Sequence, residues 1–194
     1  FRGDYGGVSF NNSGTLDLQT GLLLVESAFT INPTSNIKLG IKGITPGTEV
    51  AQLNFGRNAG FNGSLNIVLT NNYSPTLGSS YVVMNYPSKS GTFTTPSLPA
   101  LSNGLAWKIN YNDTQLVVEV VQAHMLAKPV KQVDGTYGIS FSGPAVTSIQ
   151  FQVSTNLVDW ETLQTVNSFS GTQNFIDADA MNYPRRFYRV QITP

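Results

Sequence analysis

The chain has no cysteine, a single histidine, few charged residues and no long apolar run. Without cysteine it can form neither disulfides nor thiolate-bound metal sites. His124 has no acidic residue at ligand spacing, so it predicts no metal site and gives a serine hydrolase no suitable base. No apolar run approaches the about 20 residues of a membrane-spanning helix. We therefore expect no cofactor and no membrane insertion.

Charge is scarce and balanced, with 11 basic and 11 acidic residues that together make up 11% of the chain. Nucleic acids and anionic membranes select basic faces, so neither is expected as a main partner. The polar surface must be built from Asn, Ser, Thr, Gln and Gly, which suits exported β-rich proteins in contact with neutral polymers. We expect an extracellular or cell-surface location. Because Phe1 opens the chain without a signal peptide, we also expect a processed product or a fragment.

What the sequence does contain is alternation of apolar and polar residues with a period of two. It is clear in "LAWKINY" (105–111) and "SIQFQVS" (148–154), and Gly, Asn, Pro and Ser separate such segments. This pattern predicts an all-β protein. The alternation lapses around Pro129 and Asp134-Gly135. We therefore predict a first domain over 1–122, a linker over 123–136, and a small β-sandwich of short strands over 137–194.

The first domain resembles the late passenger region of exported bacterial β-helix proteins of the autotransporter type. Val50-Ala51 stands where that family usually has Tyr-Asp. Four segments carry the resemblance, in the family's order: "GITPGTEVAQLNF" (43–55), "FNGSLNIVLTNNYSPTLGSSYVVMNY" (61–86), "SGTF" (90–93) and "LPALSNGLAWKINYNDTQLVVEVV" (98–121). The resemblance implies a right-handed parallel β-helix, or β-solenoid, that ends in a cap.

The second domain resembles a C-terminal β-sandwich module of secreted proteins from Verrucomicrobia-like and Planctomycetes-like bacteria. The segments that match are "QVSTNLVDWETL" (152–163) and "FIDADAMNYPRRFYRV" (175–190). The resemblance implies a small sandwich of the immunoglobulin or fibronectin type III kind. It also implies an accessory or surface-associated module without known catalysis, and it names no ligand.

The last strand carries two arginines that alternation places on one face with an aromatic residue, namely Arg185, Phe187 and Arg189. Two interpretations stay open. The arginines of this segment can pair with nearby acids, of which the candidates are Asp159, Glu161, Asp177 and Asp179. Alternatively, the face can stack on sugars or aromatic groups.

The acidic pairs Asp159/Glu161 and Asp177/Asp179 have the spacing of side chains that share a strand face. Paired carboxylates could cleave glycosides, but both pairs lie within the sandwich motif, which favours structural pairing. Asp177 and Asp179 could contribute to a Ca²⁺ site, although Ca²⁺ takes six or more oxygens.

Among the other aromatic residues, Trp107 and Trp160 are predicted to be core anchors. Tyr73 and Tyr86 flank turns and are predicted to be exposed, where they could stack on sugar rings.

These observations favour a non-catalytic extracellular binding or adhesion module for a cell-surface polymer, with neutral polysaccharide as the favoured ligand. The candidate binding residues are Tyr73, Tyr86, Arg185, Phe187 and Arg189. One alternative is a structural spacer or a subunit of an extracellular filament or surface layer, which would meet copies of itself through β edges or upstream coils. Another is a fragment of a polysaccharide-degrading enzyme, which the lack of histidine and the few carboxylates in 1–122 disfavour.

Overall fold

A computed structural model describes residues 9–102 and 104–193 and confirms the predicted all-β class. The chain divides into two compact units, Phe1–Val121 and Gln122–Pro194. Within the described ranges the only helical segment is a short 3-10 helix, Ala180–Asn182. No helix in these ranges is long and apolar enough to cross a membrane.

The first unit places its successive strands in rotation on three sheets. In chain order the strands are β1 (Ser9–Asn12), β2 (Thr15–Leu18), β3 (Leu22–Val25), β4 (Ala28–Ile31), β5 (Asn36–Ile41), β6 (Gln52–Phe55), β7 (Ala59–Phe61), β8 (Ser64–Leu69), β9 (Ser80–Asn85), β10 (Lys89–Gly91), β11 (Thr95–Ser97), β12 (Leu105–Tyr111) and β13 (Gln115–Gln122). The sheets have the orders β1-β4-β7-β10, β11-β8-β5-β2 and β12-β13-β9-β6-β3.

The strands that repeat along the chain pair in parallel, and the pairing becomes antiparallel only at β13. For example, β5 pairs in parallel with β8, which places Ile37 beside Leu65 and Leu39 beside Ile67. At one end of the third sheet, β13 pairs with β9 in antiparallel orientation. The last part of this unit therefore differs from the repeated part.

The core of the first unit consists of stacked aliphatic side chains with aromatic rings beside them. Ile37, Leu39, Leu65 and Ile67 are fully or almost fully buried. Burial of each such side chain stabilises the fold by about 1.5–3 kcal/mol before entropy is counted. Since alternate residues point to opposite faces of a strand, the period of two in the sequence supplies this inward row.

A close turn between β7 and β8 requires a glycine. Gly63 has a φ angle of +64°, and a Cβ atom there would lie 2.5 Å from the carbonyl oxygen of Ser35 and 2.7 Å from that of Asn32. Only glycine adopts this conformation at little cost and leaves room for the neighbouring backbone. The "NGS" motif thus joins two strands against the preceding repeat.

The second unit contains five further strands, and two of them lie in the segment predicted to be a linker. The strands are β14 (Met125–Leu126), β15 (Val130–Lys131), β16 (Tyr137–Ser154), β17 (Glu161–Asp177) and β18 (Phe187–Thr193). Both β14 and β15 pair with β16. The prediction of a linker over 123–136 was therefore wrong, because strands of two residues are too short to show an alternating pattern.

The second unit is built on a long hairpin of β16 and β17, where the sequence predicted several separate short strands. The pairing of β16 with β17 shifts register between Gly143 and Val146. Strands β14 and β15 pair with the first half of β16, and β18 pairs with its second half over Ser148–Ser154. The turn residues Gly143 and Pro144 mark this irregularity within one strand and do not end it.

The core of the second unit consists mainly of aromatic rings. The Phe141 and Phe169 ring centroids lie 5.2 Å apart, and those of Phe151 and Phe175 are also 5.2 Å apart. Phe141 contacts Phe151 edge to face at 6.4 Å, so residues from the first and second halves of β16 pack together. Aromatic pairs of this kind contribute about 0.5–1.5 kcal/mol beyond their buried area.

Candidate functional site

The outward side of the sheet formed by β16, β17 and β18 carries a continuous polar surface. Phe187 pairs with Ser154, Arg189 with Gln152, and Gln191 with Gln150, which places these side chains on one face. Tyr188, Val190 and Ile192 alternate with them and pack against the phenylalanine core. We call this side of the sheet the outer face. It is polar apart from Phe187, and its residues are Gln150, Gln152, Thr162, Phe187, Arg189 and Gln191.

Gln152 lies at the centre of the outer face and orders its neighbours. Its Oε1 accepts a 2.7 Å hydrogen bond from Arg189 Nε. Its Nε2 lies 3.1–3.3 Å from oxygen atoms of Gln150, Thr162 and Gln191. Because Gln152 is buried, these side chains are held in fixed positions.

An arginine and a tryptophan stack at the edge of the outer face. Arg189 Cζ lies 4.1 Å from the centroid of the Trp160 ring, which is a close cation–π contact. Trp160 is only partly buried, and its Nε1 donates to the Leu157 carbonyl oxygen at 3.2 Å. The prediction that Trp160 anchors the core was therefore wrong. Its position in the loop before β17 places it on the surface.

The loop that carries Trp160 is held by its own side chains. Ser154 Oγ accepts hydrogen bonds from the backbone N–H groups of Asn156 and Leu157. Asn156 Oδ1 accepts from the backbone of Val158 and Asp159. Leu157 has a φ angle of +65°, a strained value for a residue with a branched side chain. Side chains of the "STNLVDW" motif thus hold a preformed loop, whose conformation was not predicted.

The arginine before β18 has a different environment from Arg189. Arg186 Nη1 donates to both oxygens of Asp177, at 2.7 and 2.8 Å, and Tyr188 Oη donates to Asp177 Oδ2 at 2.9 Å. The Arg186 and Asp177 side chains are only 6% and 2% exposed. Burial, together with this hydrogen bond, raises the pKa of Tyr188 above its usual range. Arg186 therefore pairs with an acid, whereas Arg189 contacts the Gln152 amide and the Trp160 ring.

Of the predicted acidic residues, Asp177 and Asp159 accept hydrogen bonds from other side chains of the second unit. Asp177 is occupied by Arg186 and Tyr188, and the backbone N–H of Asp179 also donates to it. Asp159 accepts from Asn156 Nδ2 at 2.8 Å, and Glu161 is exposed. A cation at Asp177 would lie beside the Arg186 guanidinium, so the geometry is unsuited to the predicted Ca²⁺ site. In the described residues, no group of three or more potential ligands converges on a metal position.

The two tyrosines predicted to bind a ligand lie in the first unit, and one of them is inaccessible. Tyr86 is 3% exposed and donates to the Asn112 carbonyl oxygen at 3.0 Å, so its predicted exposure was wrong. Its pKa is raised to about 12, mainly by burial and to a smaller extent by Tyr111 and Asp113. Tyr73 is partly buried, and its hydroxyl lies 3.0 Å from that of Tyr81. Both follow apolar strands, and their rings complete the core beside those strands.

A pocket of about 300 Å³ adjoins the outer face beside the preformed loop. Its walls include Asp159, Trp160, Glu161, Tyr183 and Arg186. Ser154 and Thr155 add hydroxyl groups to its lining. We call this the Trp160 pocket.

Of the predicted binding residues, Phe187 and Arg189 lie on the outer face. Arg185 is exposed and comes just before β18 in the chain. Gln152, Trp160 and Tyr183 were not among the predicted binding residues. The alternation of Gln150 and Gln152 with apolar residues was a visible signal for the first of them. Comparison of the chain with protein-family models, with curated proteins and with solved structures gave no match.

Proposed function

We propose that the second unit is a carbohydrate-binding module whose outer face binds neutral polysaccharide. The observation that carries this proposal is the Trp160 ring, held at the surface by Arg189 at the edge of a face of ordered amides and hydroxyls. The apolar face of a sugar ring packs on an aromatic ring, and its hydroxyls bond to amide groups that are already oriented.

The outer face carries a single charged side chain and is otherwise built from neutral groups, which favours a neutral polymer over a highly charged one. Gln150, Gln152, Gln191 and Thr162 can each donate and accept hydrogen bonds, as sugar hydroxyls do. Arg189 is the one cation of the defined face, and its Nε and ring contacts hold it in place. Fixing these groups in advance lowers the entropy lost on binding.

The proposal extends to the architecture that presents this module. Three strands per repeat, parallel pairing and stacked aliphatic rows support a right-handed parallel β-helix for the first unit. The antiparallel β13 and neighbouring β12 would form its cap, where Tyr111 Oη accepts from the Phe93 backbone at 3.1 Å. The long hairpin, with its register shift and its aromatic core, supports an immunoglobulin-like or fibronectin-like sandwich for the second unit. We propose an exported, surface-associated and non-catalytic protein on this basis.

One observation favours a second candidate function, that of a spacer or filament subunit. Among the described strands, β2 and β3 lie at the ends of their sheets. Strand edges pair readily with further strands. This role is compatible with a binding module in the second unit, and electron microscopy of the native material would detect ordered polymers.

Retention of the full chain on insoluble cellulose, xylan and chitin tests the binding proposal. We expect retention on at least one polymer and about ten-fold weaker binding after Trp160→Ala, which corresponds to about 1.4 kcal/mol. Arg189→Gln should also weaken binding, because it frees the Trp160 ring and the Gln152 amide. Lys131→Gln removes the same charge from β15 and serves as the matched control.

Two results would contradict this proposal. The first is that the unsubstituted chain is retained on none of the polymers. The second is that Trp160→Ala binds as well as the unsubstituted chain while circular dichroism shows both to be folded.

A further inference from the structure

A second, larger pocket of about 570 Å³ lies next to the Trp160 pocket, and Tyr183 and Arg186 line both. Its other walls include Lys128, Tyr137, Arg185 and Phe187. The volume falls within the range of about 300–1,000 Å³ that is usual for ligand sites. We call it the basic pocket.

The two pockets differ in charge. Asp159 and Glu161 line the Trp160 pocket, whereas no acidic residue lines the basic pocket. Arg186 is neutralised by Asp177, but Lys128 and Arg185 are exposed and form no ion pair with any residue that the structure describes. Two uncompensated positive charges therefore face a concave surface in a protein whose formal net charge is zero.

The wall shared by the two pockets contains a guanidinium that is held in place and has one hydrogen-bond donor without an acceptor. The Arg186 guanidinium lies 4.3 Å from the centroid of the Tyr183 ring and bonds to Asp177 through Nη1. Its Nε is buried and has no partner among the described residues. An unpaired buried donor costs about 1–3 kcal/mol, so a ligand oxygen that reaches this donor through a bridging water would be stabilising.

We propose that the basic pocket is a subsite for a carboxylate-bearing sugar, a uronic acid, in a polysaccharide whose neutral sugars lie on the outer face. This inference rests on the proposed function, because it assumes that the outer face binds the same chain. It changes the substrate class from a wholly neutral polymer to a neutral backbone with occasional uronic acids.

The chemistry of the basic pocket favours a uronic acid over other anions. Tyr183 and Phe187 offer ring surfaces for a sugar, and Lys128 and Arg185 offer charge for a single carboxylate. A nucleic acid or polyphosphate would require a longer basic stripe along its backbone. The two uncompensated charges of the basic pocket, Lys128 and Arg185, are too few for such a stripe.

Soluble glucuronoxylan, a neutral xylose chain with glucuronic acid branches, is a suitable probe, and its carboxyl-reduced form is the matched neutral polymer. Affinity electrophoresis or calorimetry would compare the two forms. We expect the full chain to bind the acidic form about ten-fold more tightly, equivalent to about 1.4 kcal/mol. The preference should weaken at high salt, because exposed charges are screened.

A variant with Lys128→Gln and Arg185→Gln tests whether the basic pocket causes this preference. Both side chains are exposed, so the variant should fold, and it should bind the two forms equally, at the level of the reduced form. Lys131→Gln should keep the full preference. Trp160→Ala should weaken binding of both forms by a similar factor, because it acts on the shared neutral backbone.

Several results would overturn the inference. Equal binding of the two forms by the unsubstituted chain would remove the basic pocket as a uronic acid subsite and leave the proposed function standing. Binding to neither form would also overturn it, and retention on the neutral polymers would then decide separately about the outer face. Equally tight binding of polyglutamate would show that the pocket takes acidic peptides and not sugars.

Discussion

The two units are stabilised by different means, although both consist of β-strands. In the first unit, aliphatic side chains such as Ile37 and Leu65 stack between successive repeats, and no charged side chain is buried among its described residues. In the second unit, aromatic rings fill the core and Asp177 is buried with Arg186. Many equivalent contacts hold the first unit, and a few specific ones hold the second.

This difference predicts where each unit is sensitive to substitution. A stack of repeats distributes its stability over neighbouring interfaces, so a single lost contact weakens it by a limited amount. A buried ion pair is costly to bury, but the loss of one partner leaves the other as an uncompensated charge. The chain also has one tryptophan in each unit, Trp107 and Trp160, so each unit can be followed by fluorescence.

The largest expected effect is that of Asp177→Ala on the second unit. It leaves the Arg186 guanidinium buried without its carboxylate and should lower the free energy of unfolding of this unit by about 3–5 kcal/mol. Chemical denaturation followed by Trp160 fluorescence in a Trp107→Phe background would measure it. Asp179→Ala, two residues away and exposed, is the control and should have a small effect. Equal effects of the two substitutions would contradict the role given to the ion pair.

A smaller or similar loss is expected in the first unit from Leu65→Ala. Leu65 is fully buried in β8 beside Ile37 in β5, and truncation leaves a cavity that costs about 2–5 kcal/mol. Trp107 fluorescence in a Trp160→Phe background reports on this unit. Leu22→Ala removes the same atoms from an exposed position and should change little. Equal effects of Leu65→Ala and Leu22→Ala on the Trp107 transition would contradict the packing role given to Leu65.

The sequence predicted the fold class well because alternation is a local property of the chain. Inward rows such as Ile37 and Leu39 follow directly from it. The structure of 123–136 was missed, because β14 and β15 each pair with β16 over only two residues and are specified by that partner. The continuity of β16 through Gly143 was missed for a related reason, since both halves of the hairpin pack on one core.

The candidate site was predicted only in part, because it depends on contacts between distant segments. Alternation placed Phe187 and Arg189 on one face, yet Gln152 and Trp160 join them from other strands and loops. The exposure of Tyr86 was predicted from a neighbouring turn, whereas packing on Phe61, with ring centroids 5.3 Å apart, determines its burial. A sequence shows which face a residue takes but not which neighbour covers it.

Turn geometry offers a second test of the first unit. Gly63→Ala forces a side chain into positive φ and against the carbonyl oxygens of Ser35 and Asn32, so we expect a loss of about 1–3 kcal/mol in the first unit. Gly14→Ala is the matched control, since a Cβ there meets no atom within 4 Å. Denaturation followed by Trp107 fluorescence would compare them. If both glycines tolerate alanine, the close approach of successive repeats at this turn is not required.

Alkaline pH should give the smallest effect and a distinct signature of the first unit. Burial raises the pKa of Tyr81 and of Tyr86 to about 12, whereas an unfolded tyrosine titrates near about 10. The unfolded chain therefore loses protons first, and the stability these residues contribute is complete below about pH 10 and declines as pH rises toward about 12. Tyr86→Phe removes one titrating group, so its stability should start lower but fall less steeply than that of the unsubstituted chain. Parallel curves for the two proteins, measured by Trp107 fluorescence, would show that Tyr86 is not held protonated by the core.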